Sequence, residues 1–405
     1  MGGSAPPYLR RPEFGPCFPA RMLRPPLPRR AAVLGLALLV LPFAAGCDTG
    51  SSDEIVEGVN FTRLFAPPTA AERAAVEADW AARTYEARNA QVVAEQTVGG
   101  ARVVIVSHTM TDAGGDDFTH YGVIRIPEGA ADFPVLVYHH GGDDGFSLAG
   151  EQATLGLFPT LAAQTVQVLP VYRSEAITDA FGPGTTYQAG GSPSPWDRDV
   201  DDAIALLNVA LQLFPAETDG GRIGAMGVSR GGNVALLMAL RDARVRVVTD
   251  YFGPADFFDA SIEQLAAAAL LGVPSVLDLP GARYLLENVL EPLQKPGADY
   301  DAARLEILRR SAAYFTADLP NLQVHHHRDD PTVPFAQSAS LDAHRQAAPN
   351  QGAYDFNAYD NALPGGVSSA HDIRAMPPST ADTEQFMNEH LLAPSLVPAF
   401  TGFGD

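Results

Sequence analysis

A single serine lies between glycines where an apolar segment of the chain gives way to a segment with helical spacing. Residues 223–240 read IGAMGVSRGGNVALLMAL. The first part is typical of a buried strand, and the apolar residues after the glycines recur at the period of a helix. Gly227 to Gly231 fit the pattern G-x-S-x-G, a sharp turn that exposes the hydroxyl of Ser229 at the edge of a sheet. Glycines on both sides let the strand and the helix approach closely.

The rest of the chain alternates between apolar strands and amphipathic helices. Strands are predicted at residues 101–110, 120–127, 133–142, 165–173, 221–228, 245–253, 321–327 and 353–360, the first two as an antiparallel pair. Helices are predicted at residues 69–93, 197–214, 230–242 and 379–392. Apolar strands that alternate with amphipathic helices indicate an α/β fold with a mostly parallel central sheet, covered by helices on both faces. The Ala/Leu-rich stretch at about 260–315 interrupts this alternation and is predicted to be a helical cap.

The N-terminal residues are typical of a targeting segment. Basic residues at 22–30 precede an apolar stretch at 31–46, which is short for a spanning helix and resembles a secretory signal. The stretch ends in AAGC, which looks like a bacterial lipobox with Cys47 as the lipidated residue, although Ala44 stands where Leu is usual. We therefore expect an exported, lipid-anchored protein of the bacterial cell envelope.

These boundaries divide the chain into three parts. Residues 1–47 are expected to be the leader, 48–68 a polar tether, and 69–400 the folded domain. Translation could start at Met1 or at Met22.

Charge and cysteine content exclude several classes of function. The 405 residues include 27 Lys and Arg against 48 Asp and Glu, a net charge of −21. Such an acidic protein repels phosphates, so nucleic acid is not an expected partner. The two cysteines, Cys17 and Cys47, both lie in the leader. The mature body is therefore expected to contain neither a disulfide nor a thiolate metal site.

Three segments together resemble a known superfamily. They are GVSRGG at residues 227–232, VYHHGGDDG at 137–145, and HHHRDDPTVPFAQS at 325–338. With a late histidine, they resemble the α/β-hydrolases, and more narrowly the prolyl oligopeptidase-type serine peptidases and the dienelactone hydrolase-like esterases. The family peptidases often have a tyrosine where this chain has His140, a departure that favours ester hydrolysis.

A serine needs a base to become a nucleophile, and in this fold the base comes late in the chain. His371 follows the last predicted strand and a Gly-Gly loop, which is the expected place. The other late histidines, His344 and His390, lie in helix-like segments.

The base in turn needs an acid that holds its tautomer. The segment at residues 325–338 resembles the hydrolase pattern H-G-x-x-D-x-x-V-P, in which the aspartate lies three before the valine. This alignment implies Asp330 as the acid, with Asp329 and Asp256 as alternatives. The resulting order Ser229, Asp330, His371 is the order of an α/β-hydrolase.

The same resemblance implies an oxyanion hole of two backbone N–H groups. The N–H of Arg230 is one expected donor, and that of Gly142 is the other, with Gly141 or Asp143 as alternatives. His139 and His140 are expected to shape this loop.

The triple histidine at residues 325–327 is not expected to bind a metal. Successive side chains of a strand point to opposite faces, so all three rings cannot reach one ion. No metal and no cofactor are implied.

The combined prediction is an exported serine hydrolase that cleaves carboxylic esters or short peptides through an acyl-enzyme. Three alternatives stay open. They are a prolyl oligopeptidase-type peptidase, acyl transfer to an acceptor other than water, and a non-catalytic surface lipoprotein that keeps the fold for binding.

Overall fold

The fold is built on a nine-stranded sheet, seen in a computed structural model that describes residues 53–349 and 352–393. The strands of the described part are β1 (Ile55–Val56), β2 (Val59–Asn60), β3 (Arg88–Val98), β4 (Ala101–Thr111), β5 (Asp117–Pro127), β6 (Phe133–His139), β7 (Gly145–Ser147), β8 (Val166–Pro170), β9 (Ala176–Thr178), β10 (Tyr187–Gln188), β11 (Thr218–Val228), β12 (Val245–Tyr251), β13 (Asn321–His327) and β14 (Tyr354–Tyr359).

Helices connect most of these strands. The α-helices are α1 (Phe61–Leu64), α2 (Ala70–Ala82), α3 (Leu148–Leu155), α4 (Pro159–Gln164), α5 (Asp197–Leu213), α6 (Arg230–Arg241), α7 (Ala260–Leu270), α8 (Pro274–Leu277), α9 (Ala282–Leu285), α10 (Glu291–Leu293), α11 (Tyr300–Leu308), α12 (Ala336–Ala347) and α13 (Ser379–Met387). Short 3₁₀ helices span Ala312–Asp318 and Ile373–Ala375, and π-helical turns span Leu286–Leu290 and Asn388–Leu392. Helices α7 to α11 lie in the stretch predicted as a cap.

The large sheet has the order β14-β13-β12-β11-β6-β8-β5-β4-β3. The six strands from β14 to β8 are parallel, while β5, β4 and β3 pair antiparallel at the other end. One apolar cluster joins the sheet to α5 and α6, and a second joins its other face to α3, α4 and α13. The predicted mostly parallel sheet, covered on both faces, is confirmed.

The prediction of one helix over residues 69–93 is wrong at its C-terminal end. Helix α2 starts with the expected capping box of Thr69 and Glu72 but ends at Ala82. Residues 88–98 form β3, which pairs antiparallel with β4. The alanine-rich composition that favours a helix stops near Ala82, and an edge strand with mostly exposed side chains carries little of the hydrophobic alternation that would identify it.

The prediction of a tether over residues 48–68 is wrong from residue 55 onward. Val59, Phe61 and Leu64 are fully buried in the core, and β1, β2 and α1 are formed here. The folded domain therefore begins before residue 69. The leader and Cys47 lie outside the described residues. Within the described ranges, no helix is both long enough and apolar enough to cross a bilayer.

Candidate active site

Ser229 lies on the sharp turn between β11 and α6. Its backbone has φ +54° and ψ −126°, a strained conformation for a residue with a side chain. The Ser229 N–H donates to the carbonyl of Tyr251, 2.9 Å away at the end of β12. This bond helps to hold the turn, with the half-buried serine at the carboxyl edge of the sheet.

Two glycines make this turn possible. A Cβ at Gly227 would lie 2.0 Å from the carbonyl oxygen of Gly231. A Cβ at Gly231 would lie 2.2 Å from the carbonyl oxygen of His139, at the end of β6. Helix, strand and neighbouring loop are thus in backbone contact, which explains the pattern G-x-S-x-G in steric terms.

The structure brings Asp330 and His371 together. Asp330 follows β13 and His371 follows β14, and His371 Nδ1 lies 2.7 Å from Asp330 Oδ2. The other carboxylate oxygen of Asp330 accepts hydrogen bonds from the backbone N–H groups of Thr332 (2.8 Å) and Val333 (3.0 Å). Both carboxylate oxygens of Asp330 therefore have hydrogen-bond partners, which fix the orientation of the carboxylate.

His326 adds a second histidine beside Asp330. Its Nε2 lies 3.5 Å from Asp330 Oδ2 and 3.0 Å from the carbonyl oxygen of Val333. Burial alone would raise the pKa of the Asp330 carboxyl, but hydrogen bonds and charge from His326 and His371 hold that pKa well below its usual range. Asp330 is thus an anion suited to stabilise a protonated His371.

The alternative residues lie elsewhere. Asp256 accepts hydrogen bonds from the Phe258 N–H and the Ser340 hydroxyl, and the Asp329 N–H is bound to His327. His344 is bonded within α12, and His390 packs on Phe386. By contrast, Ser229 and His371 line one cleft. Phe252 lines it too, and the centroid of its ring lies 4.5 Å from that of the His371 ring.

The loop after β6 passes directly beside the serine. A Cβ at Gly141 would lie 3.1 Å from the Cβ of Ser229. His140 Nδ1 lies 2.9 Å from the Gly141 carbonyl oxygen, which turns that oxygen toward the buried ring. In a planar trans peptide the N–H of Gly142 points the opposite way, away from His140. Burial lowers the pKa of His140 to about 3, so its ring is neutral.

Arg230 has a side-chain role that the sequence did not indicate. As the first residue of α6, its backbone N–H is not needed within the helix and suits an oxyanion. Its buried guanidinium donates to both carboxylate oxygens of Asp199 (2.8 and 2.9 Å), to Glu175 (2.6 Å) and to the Gly142 carbonyl (3.0 Å). One side chain therefore ties the turn of Ser229 to the loop of Gly142.

Glu175 also contacts the loop that contains Gly142. Its Oε2 accepts a hydrogen bond from the Gly145 N–H at 3.0 Å and lies 3.7 Å from His140 Nε2. Burial raises the pKa of Glu175 to about 7 even though the Arg230 guanidinium lowers it. We define the Arg230 cluster as Arg230, Asp199 and Glu175. Sequence spacing gave no signal for it, because the three residues come from separate segments.

The three consecutive histidines have separate partners. His325 Nδ1 lies 2.8 Å from the Tyr359 hydroxyl oxygen, and His327 Nε2 lies 2.9 Å from the Asn361 carbonyl oxygen. His326 contacts Asp330 instead. Among residues 53–349 and 352–393, no group of three His, Cys, Asp or Glu is arranged to hold a metal ion.

Comparison with solved structures identifies the fold. An acetyl xylan esterase from Paenibacillus sp. R4 superposes with a TM-score of 0.51 at 17% identity, over 82% of this chain and 99% of that one. Acetyl xylan esterase 1 from Thermoanaerobacterium sp. superposes with a TM-score of 0.50 at 15% identity, over 84% of this chain and 95% of that one. This chain has the α/β-hydrolase fold.

The α/β-hydrolase fold agrees with the superfamily resemblance of the sequence. No family model matches the chain, and no curated protein shows significant sequence similarity to it. Identities this low establish the fold alone. In an α/β-hydrolase fold, the ends of β6, β11, β13 and β14 lie at one edge of the sheet, where sites form. Ser229, Asp330, His371 and Gly142 all follow these strands.

Proposed function

We propose that this α/β-hydrolase fold is a serine hydrolase that cleaves carboxylic esters or short peptides. The observation that carries the proposal is the 2.7 Å contact between His371 and Asp330 in the cleft that Ser229 enters from a strained turn. A buried carboxylate that holds a histidine in the same cleft as a serine is the arrangement needed for nucleophilic catalysis.

The proposed reaction runs in two steps. Ser229 Oγ attacks the substrate carbonyl while His371 takes its proton, and Asp330 stabilises the imidazolium. The N–H groups of Arg230 and Gly142 stabilise the oxyanion. His371 then gives the proton to the leaving group, and an acyl-enzyme remains on Ser229. Water, deprotonated by His371, releases the acid.

The test uses the full-length chain in detergent. Wild type, Ser229→Ala and the control Ser192→Ala are treated with a fluorophosphonate probe. Ser192 is exposed and does not line the cleft of Ser229 and His371. Turnover of p-nitrophenyl acetate and of a proline p-nitroanilide is measured in parallel. We expect labelling and turnover in wild type and Ser192→Ala only, and the preferred substrate separates esterase from peptidase. Folded wild type that neither labels nor turns over would refute the proposal and favour the binding lipoprotein.

We also propose export and lipid anchoring at Cys47, on the sequence of the leader alone. The test is expression in a bacterium with an alkyne fatty acid as the label. Wild type and Cys17→Ser should incorporate the label and sediment with membranes, whereas Cys47→Ser should do neither. Equal labelling of Cys47→Ser would contradict the proposal.

A further inference from the structure

Two cavities of different chemistry meet at Ser229. The first, which we name the apolar cavity, has a volume of about 120 Å³. The second, which we name the open cleft, has a volume of about 720 Å³. Ser229, Pro280 and Thr332 line both. A substrate held at Ser229 can therefore extend in two directions.

The apolar cavity is lined almost entirely by carbon. The cap supplies most of the wall, with Ile262, Leu265 and Ala266 from α7 and with Val276, Leu285 and Val289 from the helices that follow. Arg230 is the one charged residue of this wall within the described part of the chain, and its guanidinium is already bonded within the Arg230 cluster and to Gly142. Binding of an apolar group to such a surface is favourable, whereas a polar group would lose its hydration without gaining a hydrogen-bond partner.

The open cleft has a mixed lining, in which apolar side chains such as Phe252 alternate with polar ones. Glu151, Asp372 and Arg374 contribute charged side chains, and Thr154 contributes a hydroxyl. The cleft also has a larger volume and can keep water beside a bound group. It therefore suits a hydrophilic portion of the substrate.

The position of His371 decides which part of the substrate goes where. In acyl transfer the histidine gives its proton to the leaving group, so the leaving group must lie on the histidine side of the serine. Among the described residues, His371 lines the open cleft and is not part of the apolar cavity wall. The leaving group thus faces the open cleft, and the acyl group is directed into the apolar cavity.

The cavity volume limits the length of the acyl group. An apolar cavity of about 150 Å³ holds benzene, which has six carbons. A volume of about 120 Å³ fits an acyl group of about four to six carbons. An acetyl group would leave most of the apolar wall uncovered, and a chain of ten carbons would not fit.

We propose that the apolar cavity is an acyl-binding site for apolar acyl groups of about four to six carbons, with a hydrophilic leaving group in the open cleft. This inference rests on the proposed serine hydrolase function. It assigns the substrate class as esters of short-chain to medium-chain apolar acids.

The experiment compares p-nitrophenyl acetate, butanoate, hexanoate and decanoate on the full-length chain. We expect kcat/KM to rise about fourfold for each methylene from acetate to butanoate, since a buried methylene contributes about 0.8 kcal/mol. We expect a plateau at hexanoate and a fall of at least tenfold at decanoate.

Matched variants on α7 test the location. Ala266→Phe fills the apolar cavity and should lower kcat/KM for hexanoate at least tenfold while acetate changes less than threefold. Leu265→Ala enlarges the cavity and should move the optimum to a longer chain. The control Ala268→Phe, on the same helix but outside the cavity wall, should keep the wild-type profile.

The rate of fluorophosphonate labelling separates the two levels of failure. Wild type that labels at Ser229 but shows a flat or acetate-optimal profile would overturn the acyl-site inference and leave the serine hydrolase proposal standing. The same holds if Ala266→Phe keeps the wild-type chain-length profile. Folded wild type that neither labels nor turns over any ester would overturn the proposed function and this inference together.

Discussion

Replacing Arg230 by methionine is expected to affect both stability and the rate of catalysis. The guanidinium is 3% exposed and donates to Asp199, Glu175 and Gly142. Methionine keeps much of the volume but leaves two buried carboxylates without their cation. Removing one partner of a buried ion pair costs about 3–5 kcal/mol. For a folded domain of about 340 residues, with an unfolding entropy of about 2.1 cal/mol/K per residue, the melting temperature should fall by about 4–7 °C.

The effect on the rate follows from the Gly142 carbonyl. Without Arg230, that carbonyl loses the bond that ties its loop to the turn of Ser229. Loss of one oxyanion donor lowers kcat by about 10²–10³-fold, so loosening the proposed donor, the Gly142 N–H, should lower kcat about 10²-fold. The assays are thermal unfolding and kcat for p-nitrophenyl butanoate, with active sites counted by fluorophosphonate labelling. Arg198→Met is the control, because Arg198 is partly exposed and its partner Asp201 keeps its ion pairs with Arg83 and Arg241 in this variant.

Two results would refute this reasoning. If Arg230→Met melts at the wild-type temperature, the Arg230 cluster does not stabilise the fold. If it melts lower but keeps the wild-type kcat per labelled site, the side chain does not position the Gly142 loop.

Three further predictions concern the acid, the loop beside the serine, and pH. Asp330→Asn should lower kcat about 10⁴-fold in steady-state assays, because an amide favours the wrong tautomer of the base; a loss below tenfold would exclude Asp330 as the acid. Gly141→Ala places a Cβ 3.1 Å from that of the proposed nucleophile and should lower kcat at least tenfold, whereas Gly182→Ala, in open space, should not; equal rates would show that the loop can move away. Unfolding free energy from urea titrations should fall as pH drops from 6.5 toward 3. Burial lowers the pKa of five histidines to about 3 in the folded chain. Between pH 6.5 and 3 the unfolded chain therefore binds more protons than the folded chain, and each histidine lowers the unfolding free energy by about 1.4 kcal/mol per pH unit. Burial raises the pKa of Glu175 and Asp250 to about 7 and that of Glu151 to about 6, and it also raises the pKa of Asp199. These four mostly buried carboxyls act in the opposite direction and offset part of the effect of the five histidines. Constant stability from pH 7.5 to 4.5 would contradict this prediction. The five histidines are His108, His120, His139, His140 and His325.

The parts of the fold that were predictable from sequence are those with a local cause. The turn at Ser229 is specified by glycines within four residues, and the parallel strands are specified by continuous apolar runs. Strand β3 was missed because its side chains are mostly exposed, so its identity comes from pairing with β4 rather than from its own pattern. Burial of Phe61 was missed for a similar reason, because its apolar segment is too short to show the periodicity of a helix or a strand.

The contact of Asp330 with His371 was only partly predictable from the sequence. A loop pattern indicated Asp330, and position after the last strand indicated His371, but only the parallel order of β13 and β14 brings the two loops together. The support from His326 was not predictable, because it depends on a ring orientation set by Ser338 and Val333.

The Arg230 cluster shows why a motif underdetermines a site. The residue after the serine was assigned a role only through its backbone N–H, which any residue could supply. A buried ion cluster is weak support for stability alone, because an apolar replacement of similar volume can be as stable. No apolar side chain, however, can donate to the Gly142 carbonyl. The arginine is therefore better explained by the orientation that it imposes on the loop beside Ser229 than by the free energy that it adds to the fold.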